Sequence, residues 1–180
     1  FKEKNIATGT ARAGNVIGGG DWSKDRLVPD AIKAFSQSNK LIIRNPNAIR
    51  PWQHVLEPLS GYIVLCQKLW DNPKKYSGAW NFAPAPSCAR TVKEIIIELS
   101  TLWGPNAEWE IINNENEPHE AILLQLDNSK AVENLGWAPR WNWSSSLSET
   151  VRWYKSYFED INMLRDFTKE QIRSYNKNEK

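Results

Sequence analysis

Along the chain, short apolar runs alternate with longer segments whose apolar positions recur every three or four residues. Lys4 to Ala13 reads as a buried strand of small residues, Ile6, Ala7, Gly9, Ala11 and Ala13, which let a helix or ligand approach the backbone. Gly14 to Gly20 reads as a loop, because three consecutive glycines hold neither helix nor strand cheaply. Pro29 suits a first helical turn, and Val28, Ala31, Ile32 and Phe35 give that helix its apolar stripe. Leu41 to Arg44 is a short strand, and Asn45-Pro46-Asn47 is a turn. The clearest helix starts near Pro58. Leu59, Tyr62, Ile63, Cys66, Leu69 and Trp70 share one face, and Asn72-Pro73 stops it.

Ala79 to Phe82 reads as a strand, followed by breakers from Ala83 to Pro86. Thr91 with Glu94 is a capping box opening a helix through Ile95, Ile96, Leu99, Leu102 and Trp103, ended by Gly104-Pro105. Trp109 to Ile112 and Leu123 to Leu126 are strands around a polar loop, Asn113 to Glu120. Asp127 caps a helix over Asn128 to Leu135, which Gly136 terminates. Ser146 and Glu149 form a second capping box before Leu147 to Phe158. Lys169 to Lys180 is polar and expected to fray. Such alternation argues for an α/β fold.

Composition narrows the function classes. The chain has 180 residues, enough for one domain with a sizeable core. A net charge of +2 gives no reason to expect nucleic acid or a membrane surface as partner, and no apolar run reaches the length of a membrane span. Cys66 and Cys88 lack metal-type spacing, which points to a reducing cytoplasm. Phe1 stands within a few residues of the first strand, so we expect a piece of a longer protein.

The candidate chemistry lies between Thr10 and His54. Gly18-Gly19-Gly20 matches neither a dinucleotide fingerprint nor a P-loop, and serves either as a tight turn or as an anion cradle. Arg12, Arg26, Arg44 and Arg50 flank it, either as solvated charges or as a phosphate site. His54 and His119 lie too far apart in sequence for a local metal motif, and no metal is expected. Glu115, Glu117 and Glu120 read as a solvated loop, and Ser87-Cys88 has no nearby base. The ten tryptophans fall mainly at core positions. The residues by themselves describe an anion-binding α/β domain without a visible catalytic centre.

Three stretches carry a resemblance. Ala11-Arg12-Ala13-Gly14-Asn15-Val16-Ile17-Gly18-Gly19-Gly20-Asp21-Trp22, Asp25-Arg26-Leu27-Val28-Pro29-Asp30 and Ile49-Arg50-Pro51-Trp52-Gln53-His54-Val55-Leu56-Glu57-Pro58-Leu59-Ser60-Gly61-Tyr62 closely resemble the CDP-glucose 4,6-dehydratase family. These are extended short-chain dehydrogenase/reductases acting on nucleotide sugars. Trp80-Asn81-Phe82-Ala83-Pro84, Pro118-His119-Glu120-Ala121 and Leu135-Gly136-Trp137-Ala138-Pro139 agree with it. The resemblance implies the C-terminal part of that fold: the last strands of a Rossmann-type sheet, near residues 5–13 and 79–82, plus a small mixed α/β substrate domain. Residues 1–160 would belong to it, with 161–180 as a polar tail.

The implied reaction is NAD-dependent conversion of CDP-glucose to CDP-4-keto-6-deoxyglucose in a homo-oligomeric enzyme. Its Tyr-x-x-x-Lys pair is not in this chain: Cys66, Trp80, Phe158, Ile161 and Glu179 stand four residues after the five tyrosines. No catalytic residue is therefore expected here, and the chain alone should be inactive. The resemblance implies substrate contacts from Asn15, Arg26, Leu27, Arg44, Arg50, Asn81, His119 and Glu120, with Ala13 and Gly14 beside the cofactor. Leu123 departs from the family, which would have a tyrosine there.

Overall fold

In the computed structural model, residues 6–112 and 125–177 are described. Strand β1 (Gly9–Ala13) runs parallel to β6 (Gly78–Phe82), in register from Gly9 opposite Gly78 to Ala13 opposite Phe82. Between them in sequence lies α2 (Leu56–Asp71), which packs across the pair. Gly61 makes that packing possible, because a Cβ on it would clash with the Phe82 ring, 2.2 Å from Cδ1. Asn72 ends α2 and caps a single turn, α3 (Pro73–Tyr76), by accepting the Lys75 N–H. Helix α5 (Ser129–Leu135) closes this layer, whose core holds Leu65, Trp80, Phe82, Leu135 and Trp137.

A second core forms around α1 (Leu27–Ser36), α4 (Val92–Trp103) and α6 (Trp143–Glu159). It packs with the parallel pair β3 (Leu41–Ile43) and β8 (Trp109–Ile111). Phe35, Ile95, Ile96, Leu99, Leu147 and Tyr154 fill it. Two small ladders join the cores. Strand β2 (Val16–Ile17) runs parallel to β5 (Gln53–His54), and β4 (Ile49–Pro51) runs antiparallel to β7 (Ala89–Thr91).

Several expectations change. The stretch from Gly14 to Gly20 is not all loop, since β2 interrupts it. Strand β1 is not buried: Gly9 to Arg12 are exposed, because among the described residues β6 is its one ladder neighbour. Helix α2 turns a different face inward. Glu57, Pro58, Gly61 and Leu65 are buried, whereas Leu59, Ile63, Cys66 and Trp70 face water, Trp70 being 89% exposed. Close approach to Phe82 selects the glycine side of the helix, and that outweighs the apolar periodicity.

The Thr91–Glu94 capping box is present, with Thr91 Oγ1 accepting the Glu94 N–H at 3.1 Å. The second box is not. Helix α6 begins earlier, where Asn142 Oδ1 accepts the Ser145 N–H at 2.8 Å, and Ser146 is buried within it, accepting the His54 N–H. Asp127 precedes α5 and accepts from both the N–H and the hydroxyl of Ser129. The strand expected at Leu123 to Leu126 falls partly outside the described residues, and Gln125 and Leu126 are in no strand.

The tail does not fray from Lys169. It is the second half of α7 (Leu164–Lys177). Gln171 is buried and donates to the Glu149 carbonyl at 2.7 Å, and buried Tyr175 donates to Glu57. Two polar residues four apart carry the contact, so an apolar count misses it.

Candidate functional site

The ends of β1, α1 and β4 converge on a cavity of about 510 Å³. Asn15, Arg26, Leu27 and Arg50 line it together, with Ala13 and Gly14 at its floor. Six residues singled out from sequence therefore share one concave surface. Gly14 sits where β1 gives way to the loop, and a Cβ on it would come within 2.9 Å of Pro51 Cγ. Gln53, fully buried on β5, fixes this point by donating its Nε2 hydrogens to the carbonyls of Gly14 (3.3 Å) and Phe82 (2.9 Å).

Helix α1 begins at the cavity wall, with Leu27, Val28 and Pro29 among the lining residues. Its first N–H groups have no intrahelical partner, and Arg26, at the N-cap, makes no side-chain cap. A positive helix end beside two guanidinium groups favours a bound anion. The Arg26 guanidinium meets Asp21 at 3.0 Å, its own side chain being 62% exposed. Burial pushes the Asp21 carboxyl up, but hydrogen bonds from Ser23 and Arg26 outweigh it and hold the group below the usual range. Asp21 is thus an ionised anchor for Arg26.

Arg50 lies opposite Arg90 in the β4–β7 register. Like charges directly across an antiparallel pair repel unless one turns aside. Arg90 does turn aside: it donates to the carbonyls of Ser87 and Ala89 and covers the Trp143 ring at 4.9 Å. Arg50 lines the cavity, with one N–H donated to the Ile49 carbonyl at 2.9 Å. Five donors on one planar head let a guanidinium bond to several acceptors at once.

The remaining expected residues are placed differently. Arg44 follows β3 and is not among the lining residues. Arg12 is exposed on β1. Asn81 donates to the Asp127 carbonyl at 3.1 Å, which ties β6 to the segment before α5. Its neighbours Asp127 and Asn128 border a second hollow of about 390 Å³, with Pro51, Pro84 and Leu126. His119, Glu120 and Leu123 lie outside the described residues.

Some lining residues were not singled out as candidates. Ala48, Trp52 and Val92 form an apolar wall beside the pairing of β4 with β7. The triple glycine also has a structural cause. Gly18 packs on Val55, with 2.7 Å from a would-be Cβ to Val55 Cγ1, and a Cβ on Gly19 would clash with the Trp153 indole, 2.0 Å from Cδ2. Gly20 has φ +81°, which suits glycine. Among the described residues no group of three or more His, Cys, Asp or Glu side chains could hold a metal, and no helix is long and apolar enough to cross a membrane.

No family model matches the chain. It is 49% identical over 164 residues, 91% of its length, to CDP-glucose 4,6-dehydratase from Salmonella typhimurium. It superposes with a TM-score of 0.73 on UDP-glucose 4-epimerase from Stenotrophomonas maltophila, solved with bound NAD, at 16% identity over 88% of the chain. With dTDP-glucose 4,6-dehydratase from Bacillus anthracis, in complex with NAD, the TM-score is 0.70 at 19% identity, again over 88% of the chain. The chain is thus similar to part of a CDP-glucose 4,6-dehydratase and shares the mixed α/β fold of the two solved nucleotide-sugar enzymes. It spans 45% of the Salmonella relative and 50% and 47% of the two structures. Its mixed α/β fold with parallel strand pairs is that of a C-terminal portion of these enzymes.

Proposed function

We propose that this chain is the substrate-holding part of an NAD-dependent CDP-glucose 4,6-dehydratase, which removes water from CDP-glucose to give CDP-4-keto-6-deoxyglucose. The observation that carries this reading is the convergence of Asn15, Arg26, Leu27 and Arg50 on one cavity, in a chain 49% identical to a CDP-glucose 4,6-dehydratase.

The diphosphate would lie between Arg50, Arg26 and the start of α1, where charge-assisted N–H donors meet its oxygens. Asn15, at the exit from β1, would take a sugar hydroxyl. The apolar wall of Trp52, Ala48 and Val92 would lie beside it. Ala13 and Gly14 fit a flat nicotinamide, because neither places a side chain beyond Cβ on the cavity floor. NAD, when bound, supplies the hydride acceptor and donor for the passing oxidation at C4. Arg44, Asn81, His119 and Glu120 are proposed as outer contacts to the sugar nucleotide. The reading includes a cytoplasmic homo-oligomer in which this chain is inactive alone, since none of its tyrosines begins a Tyr-x-x-x-Lys pair.

The test is to express the chain with the coding region upstream of Phe1, add NAD, and compare CDP-, dTDP-, GDP- and UDP-glucose as substrates. Selective formation of the 4-keto-6-deoxy product from CDP-glucose supports the proposal. Preference for another nucleotide removes the substrate assignment. Binding without turnover turns the chain into a nucleotide-sugar binding module.

A further inference from the structure

We propose that the C-terminal helix α7 positions the glycine loop of the cavity, acting through Trp153 and Thr168. Trp153 stands on α6 with its indole against Gly19, where there is no room for a Cβ. Its indole N–H donates to Thr168 Oγ1 on α7 at 3.0 Å, and the Thr168 hydroxyl donates to the Leu164 carbonyl at 2.9 Å. The next residue on α6, Tyr154, donates its hydroxyl to the Asp21 carbonyl at 2.6 Å. Gly18 and Asp21, on either side of the Gly19 contact, both line the cavity, and Asp21 holds Arg26.

Contacts from Thr168 to Trp153 and from Trp153 to Gly19, two residues of backbone from Gly19 to Asp21, and the Asp21–Arg26 ion pair therefore connect α7 to a guanidinium that lines the cavity. An indole has one polar hydrogen, and its partner fixes how the ring is turned. Without Thr168 Oγ1, the indole keeps its ring contacts with Tyr154 and Tyr157 but loses the one polar contact that ties it to α7. The glycines it presses on resist a small tilt less than residues with side chains would. Helix α7 would stay docked, since Gln171 and Tyr175 anchor it independently. Thr168 and Trp153 touch no ligand and act as positioning residues. The consequence for ligand rests on the cavity holding a nucleotide diphosphate, as proposed above, whereas the consequence for the loop does not.

The experiment compares wild type, Thr168→Val and Thr168→Ser in the full-length protein. Amide exchange of Gly18 to Trp22, the dissociation constant for CDP, and KM against kcat are measured. Loss of one hydrogen bond is expected to speed loop exchange about tenfold. The same loss is expected to raise Kd and KM about five- to tenfold with kcat within twofold. Exchange in α4 should not change. Thr168→Ser, which keeps the hydroxyl, should restore both loop exchange and Kd. Thr168→Ala, which also removes the hydroxyl and leaves the indole in place, should reproduce the valine variant and serves if that variant fails to fold. Loop exchange within twofold of wild type in these variants overturns the inference, even where CDP binds normally. If wild type does not bind CDP but loop exchange still responds, the positioning role stands and the cavity assignment falls.

Discussion

The Tyr175 hydroxyl donates to Glu57 Oε2 at 2.8 Å, joining residues 118 positions apart. Glu57 is fully buried, and its other bonds come from the backbone N–H groups of Arg140 (3.0 Å) and Trp141 (2.7 Å). Burial pushes the Glu57 carboxyl up, and these three donors pull part of the way back. Ser60 completes the cluster, 3.1 Å from the Tyr175 oxygen and accepting the Trp137 indole N–H at 2.9 Å.

Tyr175→Phe removes one donor from a buried acid and leaves the ring in place. The expected loss is ~2 kcal/mol, which for a domain of this size lowers Tm by about 4–8 °C. Thermal unfolding of the single variant checks it, and an unchanged Tm would show that Glu57 is satisfied without α7.

Gly61→Ala is expected to destabilise despite the better helix propensity of alanine. Its Cβ would clash with the Phe82 ring. Overpacking of that kind costs ~1–3 kcal/mol, against ~1 kcal/mol regained from propensity. Urea unfolding should show a lower midpoint, and Gly61→Ala with Phe82→Leu should recover part of it.

Stability should fall on mild acidification because of His54. Burial lowers its pKa from 6.5 to about 4. Between those values the unfolded chain takes a proton that the folded imidazole refuses, so stability present above pH 6.5 is lost as pH falls toward 4. From pH 7 to pH 5 this contributes a loss of about 2 kcal/mol. Glu57 works in the opposite sense, because its raised pKa favours the folded state at lower pH. Urea titrations of wild type and His54→Gln at both pH values isolate the histidine share, and equal slopes would dismiss it.

Arg50→Ala should raise KM for CDP-glucose in the full-length protein by about 10- to 100-fold, the loss of ~1.5–3 kcal/mol of charge-assisted hydrogen bonding. Arg50→Lys should recover only part, since a point charge cannot replace a planar fork. Arg26→Ala should cost less, because Arg26 is more exposed and shares its charge with Asp21. Steady-state kinetics on the three variants give the ranking.

The sequence made legible those parts that depend on neighbours along the chain. The Thr91–Glu94 box, the Asn72 break and the α1 stripe are local chemistry, and they appear where expected. Asn15, Arg26, Leu27 and Arg50 were singled out from three separate stretches between Ala11 and Arg50 and line one cavity, whereas Arg44 does not. The inward face of α2 was not, because it follows from Phe82, a strand away in space and twenty-one positions after Gly61 in sequence. Ser146 looked like a cap because its spacing to Glu149 is right, yet the His54 amide claims its hydroxyl. Helix α7 was hidden by its polar composition, as its docking rests on Gln171 and Tyr175 bonding to other polar groups.

One amide bears on how the sheet finds its alignment. Gln53 reaches the Gly14 and Phe82 carbonyls, which stand just past β1 and at the end of β6. A slip of β1 along β6 by one residue would keep many ladder bonds while exchanging the two faces of the strand. It would also carry one carbonyl a full residue, roughly 3.3 Å, out of reach of an amide that β5 holds still. Gln53 thus works as a gauge block set outside the ladder it measures: only the native alignment lets both carbonyls close on it, so the cavity floor and the strand register are selected together.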